Sequence, residues 1–259
     1  MRVEGSVTTV SWIPSESVTG AVFRVPFEVG MSHYDDPPPD QVDDAEALLQ
    51  ADRARFANRL RAWIEVKDGA IVESGIDGGG LIGSTTLRVA GKGVTFAAVA
   101  LPDLRRSEQL SESAMRFEQT AGGRTGVPAV RRVSHPPFVQ MVAPLAWTTL
   151  ALTLHADGRK DFELVGASPF PRHWVYDESG RLASKSATVH YSRWSTTAFG
   201  RHTPWGDTDS PVFVSEVESA LERELSRSIM QSGRRPRITK LRKDQSLTQQ
   251  GEEADELFL

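Results

Sequence analysis

The sequence predicts an α+β protein that consists mostly of antiparallel β-sheet and has two main helices. Between residues 69 and 194, short runs rich in Val, Thr, Phe and Trp alternate with glycine-containing turns, a texture typical of strands joined by tight connections. Within the first 200 residues only one segment has the length of a helix, so parallel strands joined by helical crossovers are disfavoured. The 259 residues, 39% hydrophobic and 25% charged, suffice for one sizeable core or for one core with an appendage.

Short β-like segments run through most of the chain. Their apolar and β-branched residues, bounded by turn-forming residues, predict strands at residues 6–13, 21–29, 71–77, 81–89, 95–101, 114–120, 139–142, 148–155, 162–167, 173–176 and 187–194. In the strand at 148–155, Leu150, Leu152 and Leu154 share one face, which we predict to be core. Three consecutive prolines make residues 33–40 an extended loop instead.

Two segments are predicted to be helical. From residue 43 to about residue 66, apolar residues recur at steps of three and four, and Asp43 or Asp44 is placed to cap the helix. The opposite face, which we interpret as solvent-exposed in preference to an anion-binding surface, carries Arg53, Arg55, Arg59 and Arg61. The second helix is predicted at residues 211–230, where a Ser-Pro pair begins an apolar stripe.

The order of these elements resembles the helix-grip arrangement of the START and Bet v 1-like superfamily, in which a sheet wraps a helix around an apolar pocket. A β-barrel with lid helices agrees with the same order. Either arrangement implies a cavity within residues 1–230, which we take as one antiparallel, β-rich body. A basic linker is predicted at residues 231–237, where Gly233 and Pro236 stop the helix and three arginines supply charge.

The final segment, residues 238–259, reads ITKLRKDQSLTQQGEEADELFL. A lysine-rich strand, a Gln-Gln-Gly turn, an acidic step and a short apolar strand resemble the first strands of a truncated cyclic-nucleotide-binding jelly roll. Gly251 and Leu257 match structural positions of that family, whose ligand-binding Gly-Glu pair and arginine lie further along the chain. The resemblance therefore implies cyclic nucleotide, cAMP or cGMP, as a ligand only where that later part is present. An ordinary acidic turn between two amphipathic strands is the alternative.

The composition narrows the classes of site and partner. The chain has no cysteine, which excludes disulfides, thiolate nucleophiles and cysteine-ligated zinc. A formal net charge of -4 provides no general attraction to nucleic acid or anionic membrane, so neither is expected as a partner. The N-terminal residues fail as a signal peptide, and no stretch approaches the roughly 18 apolar residues of a membrane helix. We therefore expect a cytoplasmic protein.

Three clusters of polar and aromatic residues are candidate ligand-binding groups. They come from the proline loop, from residues 169–177 around the predicted strand at 173–176, and from the loop before the second helix: His33, Tyr34 and Asp35; Arg172, His173 and Trp174; His202 and Trp205. Each cluster also has a structural interpretation, respectively a turn with solvated carboxylates, aromatic packing, and a loop that caps a helix. No spacing matches a metal site or a catalytic constellation, so no metal, catalytic residue or cofactor is assigned.

The leading hypothesis is a cytoplasmic regulatory or assembly protein associated with a cyclic-nucleotide-sensing module. Similar uncharacterised bacterial proteins are described only by that module, which implies a regulated partner, whether another protein or a second copy of the chain. One alternative is a small-molecule-binding protein or an enzyme, in which the candidate residues converge on a cavity of the β-rich body. A self-assembling scaffold subunit is the other alternative.

Overall fold

The computed structural model of the protein describes residues 1–14, 34–89, 92–126, 129–132, 139–186 and 204–205. All of them belong to the first of two units into which the chain divides, Met1–Glu222 and Arg223–Leu259. The predicted strands at 21–29 and 187–194, the helix at 211–230, the linker at 231–237 and the segment 238–259 lie outside the described residues. They stay predictions.

The described elements are one short helix and fourteen strands. In chain order they are β1 (Arg2–Trp12), α1 (Ala45–Gln50), β2 (Phe56–Lys67), β3 (Ala70–Ile82), β4 (Thr85–Val89), β5 (Lys92–Phe96), β6 (Val99–Ala100), β7 (Leu104–Ser111), β8 (Ala114–Arg124), β9 (Ala129–Arg132), β10 (Val139–Val142), β11 (Leu145–His155), β12 (Lys160–Ala167), β13 (Arg172–Tyr176) and β14 (Leu182–Lys185).

The described strands form two five-stranded sheets and two separate hairpins. The first sheet has the order β14-β13-β1-β2-β3, and the second has the order β12-β11-β8-β6 with β7 also paired to β8. The hairpins are β4-β5 and β9-β10. Every one of these pairings is antiparallel, which confirms the mostly antiparallel prediction.

The two sheets pack face to face around an apolar core. On the first sheet, β1 and β2 direct their alternate residues inward, among them Val7, Leu60 and Ile64. The second sheet meets them with the β11 face predicted as core and with Phe117 of β8, and all of these side chains are at most 1% exposed. The described residues therefore form a sandwich of two open sheets, whereas the prediction was one wrapped or barrel-like sheet.

The prediction of a long helix at residues 43–66 is wrong beyond its first turns. The helix ends at Gln50, Asp52 takes a left-handed conformation with φ of 57°, and β2 begins at Phe56. The misleading apolar positions lie four residues apart, as in Phe56, Leu60 and Ile64, and a step of four keeps side chains on one face of a strand as well as of a helix. The arginine face assigned to that helix consequently does not exist.

The start of α1 carries a testable prediction. Asp44 lies in an extended conformation, and its carboxylate accepts hydrogen bonds from the amides of Glu46 (2.9 Å) and Ala47 (3.3 Å). Replacing Asp44 with alanine is expected to lower the free energy of unfolding by about 1 kcal/mol, because these amides lose their acceptor. Urea denaturation measures the change. Asp43→Ala is the matched control, and an equal loss in both variants would contradict the capping role.

Candidate functional site

The second predicted cluster is divided between the two faces of β13. His173 points into the sandwich, where it is 2% exposed and lies 2.7 Å from the Ser11 hydroxyl and 2.8 Å from the Ser168 carbonyl oxygen. A carbonyl only accepts, so Nε2 of His173 donates to Ser168 and Nδ1 accepts from the Ser11 hydroxyl. Burial lowers the pKa of His173 to about 4. The imidazole is therefore neutral and sealed from any ligand in solution.

Trp174 and Arg172 lie on the opposite, outer face of β13. The Trp174 ring makes an edge-to-face contact with Trp12, with centroids 5.3 Å apart, and the Lys185 ammonium lies 4.2 Å from the Trp174 ring centroid. The Arg172 guanidinium lies 5.7 Å from the ring centroid of Trp12. Both tryptophans belong to an apolar cluster that α1 covers through Leu48. Packing explains this group, and the strand alternation prevents it from sharing a ligand with His173.

Asp35 is buried in an ion pair. Its carboxylate accepts from the Arg55 guanidinium at both oxygens and from the amide of Ile13 at 2.8 Å, and the Asp35 side chain is 0% exposed. Asp52 binds the same guanidinium at 2.8 Å. These bonds attach the proline loop to the end of β1, so Asp35 is a structural residue. Its neighbour Tyr34 is half-buried, and His33 lies outside the described residues.

Trp205 also packs inside the protein. Its indole N–H donates to the Pro102 carbonyl at 2.6 Å, and its ring belongs to a buried cluster with Leu101 and Leu145. His202 lies outside the described residues. Among the residues that the structure describes, no three His, Asp or Glu side chains come together as metal ligands. The described candidates thus do not converge on one cavity.

A buried polar layer that was not predicted connects the two sheets. The Asn58 amide donates to the Thr148 carbonyl at 3.0 Å, and the Gln119 amide donates to the Asn58 side chain at 2.8 Å. The hydroxyls of Thr9 and Thr148 lie 3.0 Å apart. The sequence positions could have indicated that these side chains face inward. Each polar residue lies two positions from an inward apolar residue of its strand, as Asn58 does from Leu60. Such a satisfied network sets the register of the two sheets.

The outer face of the first sheet carries an exposed groove of about 340 Å³. We call it the outer groove, and its polar and aromatic lining consists of Arg2, Glu4 and Ser6 of β1, Arg61 and Trp63 of β2, Asp77 of β3, and Glu178 from the turn after β13. The register places Glu4 beside Trp63 and Arg61 beside Asp77. These residues were not predicted as a site, because the pairing of β1 with β2 that brings most of them together joins strands distant in sequence.

Opposite charges are paired along the outer groove. Arg2 bonds Glu4 at 2.5 Å, and Arg61 bonds Asp77 at 2.9 Å. The third carboxylate, Glu178, is bonded at 2.6 Å by Lys160. The amide of Gly78 and the guanidinium of Arg61 hold the pKa of Asp77 below its usual value, so this carboxylate is ionised at neutral pH. The outer groove therefore presents both donors and acceptors with little uncompensated charge.

Trp63 is the aromatic residue of the outer groove. The Arg2 guanidinium lies 4.2 Å from the ring centroid, a cation–π contact. The indole packs on the bare backbone of Gly75, where an added Cβ would come within 2.5 Å of Trp63 Nε1. Glycine at this position of β3 is thus required for the orientation of the ring.

Comparison of the chain with models of protein families, with curated proteins and with solved structures found no match in any of the three. Within the described ranges, no helix has both the length and the apolar character needed to cross a membrane.

Proposed function

We propose that the β-sandwich is a non-catalytic binding module of a regulatory or assembly protein, and that the outer groove is its ligand site. One contrast carries the proposal. The described residues expected to bind a ligand, such as Asp35 and His173, are buried in structural bonds, whereas the outer groove gathers an aromatic ring, two guanidinium groups and three carboxylates at an exposed concave surface.

The chemistry of the described residues favours binding over catalysis. General acid–base catalysis works best with a group that titrates near the operating pH and reaches the substrate. His173 is buried and has a pKa of about 4, and Gly78 and Arg61 lower the pKa of Asp77 in the outer groove still further from the operating pH. Paired charges and an aromatic ring can instead orient a ligand through hydrogen bonds and stacking.

A blocking substitution tests this proposal. Ser6→Tyr places a bulky side chain on the β1 wall of the outer groove, and Thr8→Tyr places the same side chain two residues along, beyond the lining. Amide chemical shifts of the full chain would be recorded with maltose, glycine betaine, phosphate and spermidine. At least one compound should shift the amides of the lining strands in the native protein and in Thr8→Tyr, but not in Ser6→Tyr. If neither these four compounds nor a larger neutral saccharide shifts these amides, the outer groove is not a binding site.

Regulation by cyclic nucleotide is a second proposal, favoured by the pattern of residues 238–259. The turn predicted at Gly251 and the strand predicted through Leu257 resemble the start of a cyclic-nucleotide-binding roll. A chain extended to the end of its reading frame should bind cAMP or cGMP in calorimetry, while the 259-residue chain should bind neither. An extension that lacks a Gly-Glu pair and an arginine, or that produces no heat of binding, would remove this proposal.

A further inference from the structure

We infer that the outer groove recognises a neutral saccharide. This inference rests on the proposed function, because it names the ligand class of the same groove. It follows from three properties of the site: the balance of its charges, the chemistry of its donors and acceptors, and the position of Trp63.

The balance of charge argues against an ionic ligand. Arg2 and Arg61 are each already bonded to a carboxylate of the lining, and Glu178 is bonded by Lys160. A phosphate or carboxylate ligand would meet three carboxylates, while a cation would meet the two guanidinium groups. A neutral ligand avoids both repulsions and leaves the existing ion pairs intact.

Hydroxyl groups of a ligand can bond the donors and acceptors that the ion pairs leave unused. A guanidinium carries five N–H donors and a carboxylate about four lone-pair sites, so an ion pair with a single contact retains both donors and acceptors. Each hydroxyl of a sugar can donate one hydrogen bond and accept two. The Ser6 hydroxyl, between the Arg2–Glu4 pair and the Arg61–Asp77 pair, adds a group of the same kind. The polar lining therefore matches a ligand with several hydroxyls.

Trp63 supplies the surface for the apolar face of a sugar ring. Its indole is supported from below by Gly75, and the group above it is the Arg2 guanidinium at 4.2 Å. The Arg2 side chain is 48% exposed, and an exposed cation–π contact is weak. Stacking of a sugar ring on the indole therefore displaces only this weak contact. The volume of about 340 Å³ lies at the lower end of the range of roughly 300–1,000 Å³ for small-molecule sites.

Calorimetry on the full chain tests the inference. The neutral probes are maltotriose, cellotriose and triacetylchitotriose, and the charged comparators are glucose 6-phosphate and glucosamine. We expect at least one neutral trisaccharide to bind more tightly than either charged sugar. Trp63→Leu keeps an apolar side chain on Gly75 but removes the aromatic face, and it should weaken binding at least about 10-fold. Trp63→Phe, which keeps an aromatic ring, should bind within about 3-fold of the native protein.

The contrary outcomes are distinct. The inference is wrong if no neutral trisaccharide binds, if a charged sugar binds more tightly, or if Trp63→Leu binds like the native protein. Thermal unfolding of both Trp63 variants establishes that they are folded. If the amides of the outer groove respond to glycine betaine, phosphate or spermidine but no saccharide binds, the binding module survives and only its ligand class fails. If no compound of either panel shifts those amides, both proposals fail.

Discussion

Replacing Asp35 with alanine is expected to lower the free energy of unfolding by about 3–5 kcal/mol, the usual cost of removing one partner of a buried ion pair. The Arg55 side chain is 8% exposed and bonds both oxygens of Asp35. Without Asp35 it would keep a positive charge in the interior, with the half-exposed Asp52 as its remaining acidic partner among the described residues. The amide of Ile13 would also lose its acceptor. Urea denaturation at neutral pH measures the loss.

Two further variants distinguish the loss of the buried ion pair from the general effect of removing a carboxylate. Asp36→Ala removes the adjacent exposed carboxylate and should change stability by less than about 0.5 kcal/mol. The double variant Asp35→Ala/Arg55→Met removes both charges and should be more stable than Asp35→Ala alone, because no buried charge is left uncompensated. A double variant that is less stable than the single one would contradict the ion-pair mechanism.

Acidification is expected to destabilise the protein through His173. The folded pKa of about 4 lies below the ordinary value of 6.5, so between these values the unfolded chain binds a proton that the folded protein does not. Stability is therefore complete above about pH 6.5 and falls as the pH is lowered toward 4. The full difference corresponds to about 3 kcal/mol, of which about 2 kcal/mol should be lost between about pH 7.5 and about pH 5.

Between about pH 7.5 and pH 5, the change in stability reports mainly on the imidazole of His173, because most carboxylates stay ionised at about pH 5. His173→Gln cannot titrate, so its free energy of unfolding should vary less between about pH 7.5 and pH 5 than that of the native protein. His155→Gln removes a histidine of the second sheet that bonds Asp161 instead, and it should keep the native dependence on pH. If His173→Gln retains the full acid sensitivity, another group is responsible.

The antiparallel sheet was predictable because its signals are local. Turn residues and alternating apolar positions act over a few residues, and the strand predicted at 139–142 is β10, Val139–Val142. One of the exceptions was β2, whose apolar spacing of four residues agrees with both a helix and a strand. The fully exposed β7 was missed for a different reason, because its sequence LRRSEQLS has no apolar alternation to detect.

Candidate residues were harder to predict, since short-range spacing does not show what a side chain faces. His173 was chosen for its neighbours in the sequence, yet its contact is Ser11, 162 residues away. Asp35 was grouped with His33 and Tyr34, but its partner is Arg55, which had been assigned to a helix surface. In both cases the decisive contact is a long-range one that no local pattern contains.

The sequence by itself determined the mostly antiparallel, strand-rich character of the described fold and the core face of β11, because backbone geometry and the period of two are local properties. Only the tertiary structure decided which residues are buried and which form a site. Stacking the two sheets buries the inner face of each, and antiparallel pairing brings Glu4 of β1 and Gly75 of β3 to either side of Trp63 of β2. The outer groove therefore depends on the register between strands, which long-range packing selects.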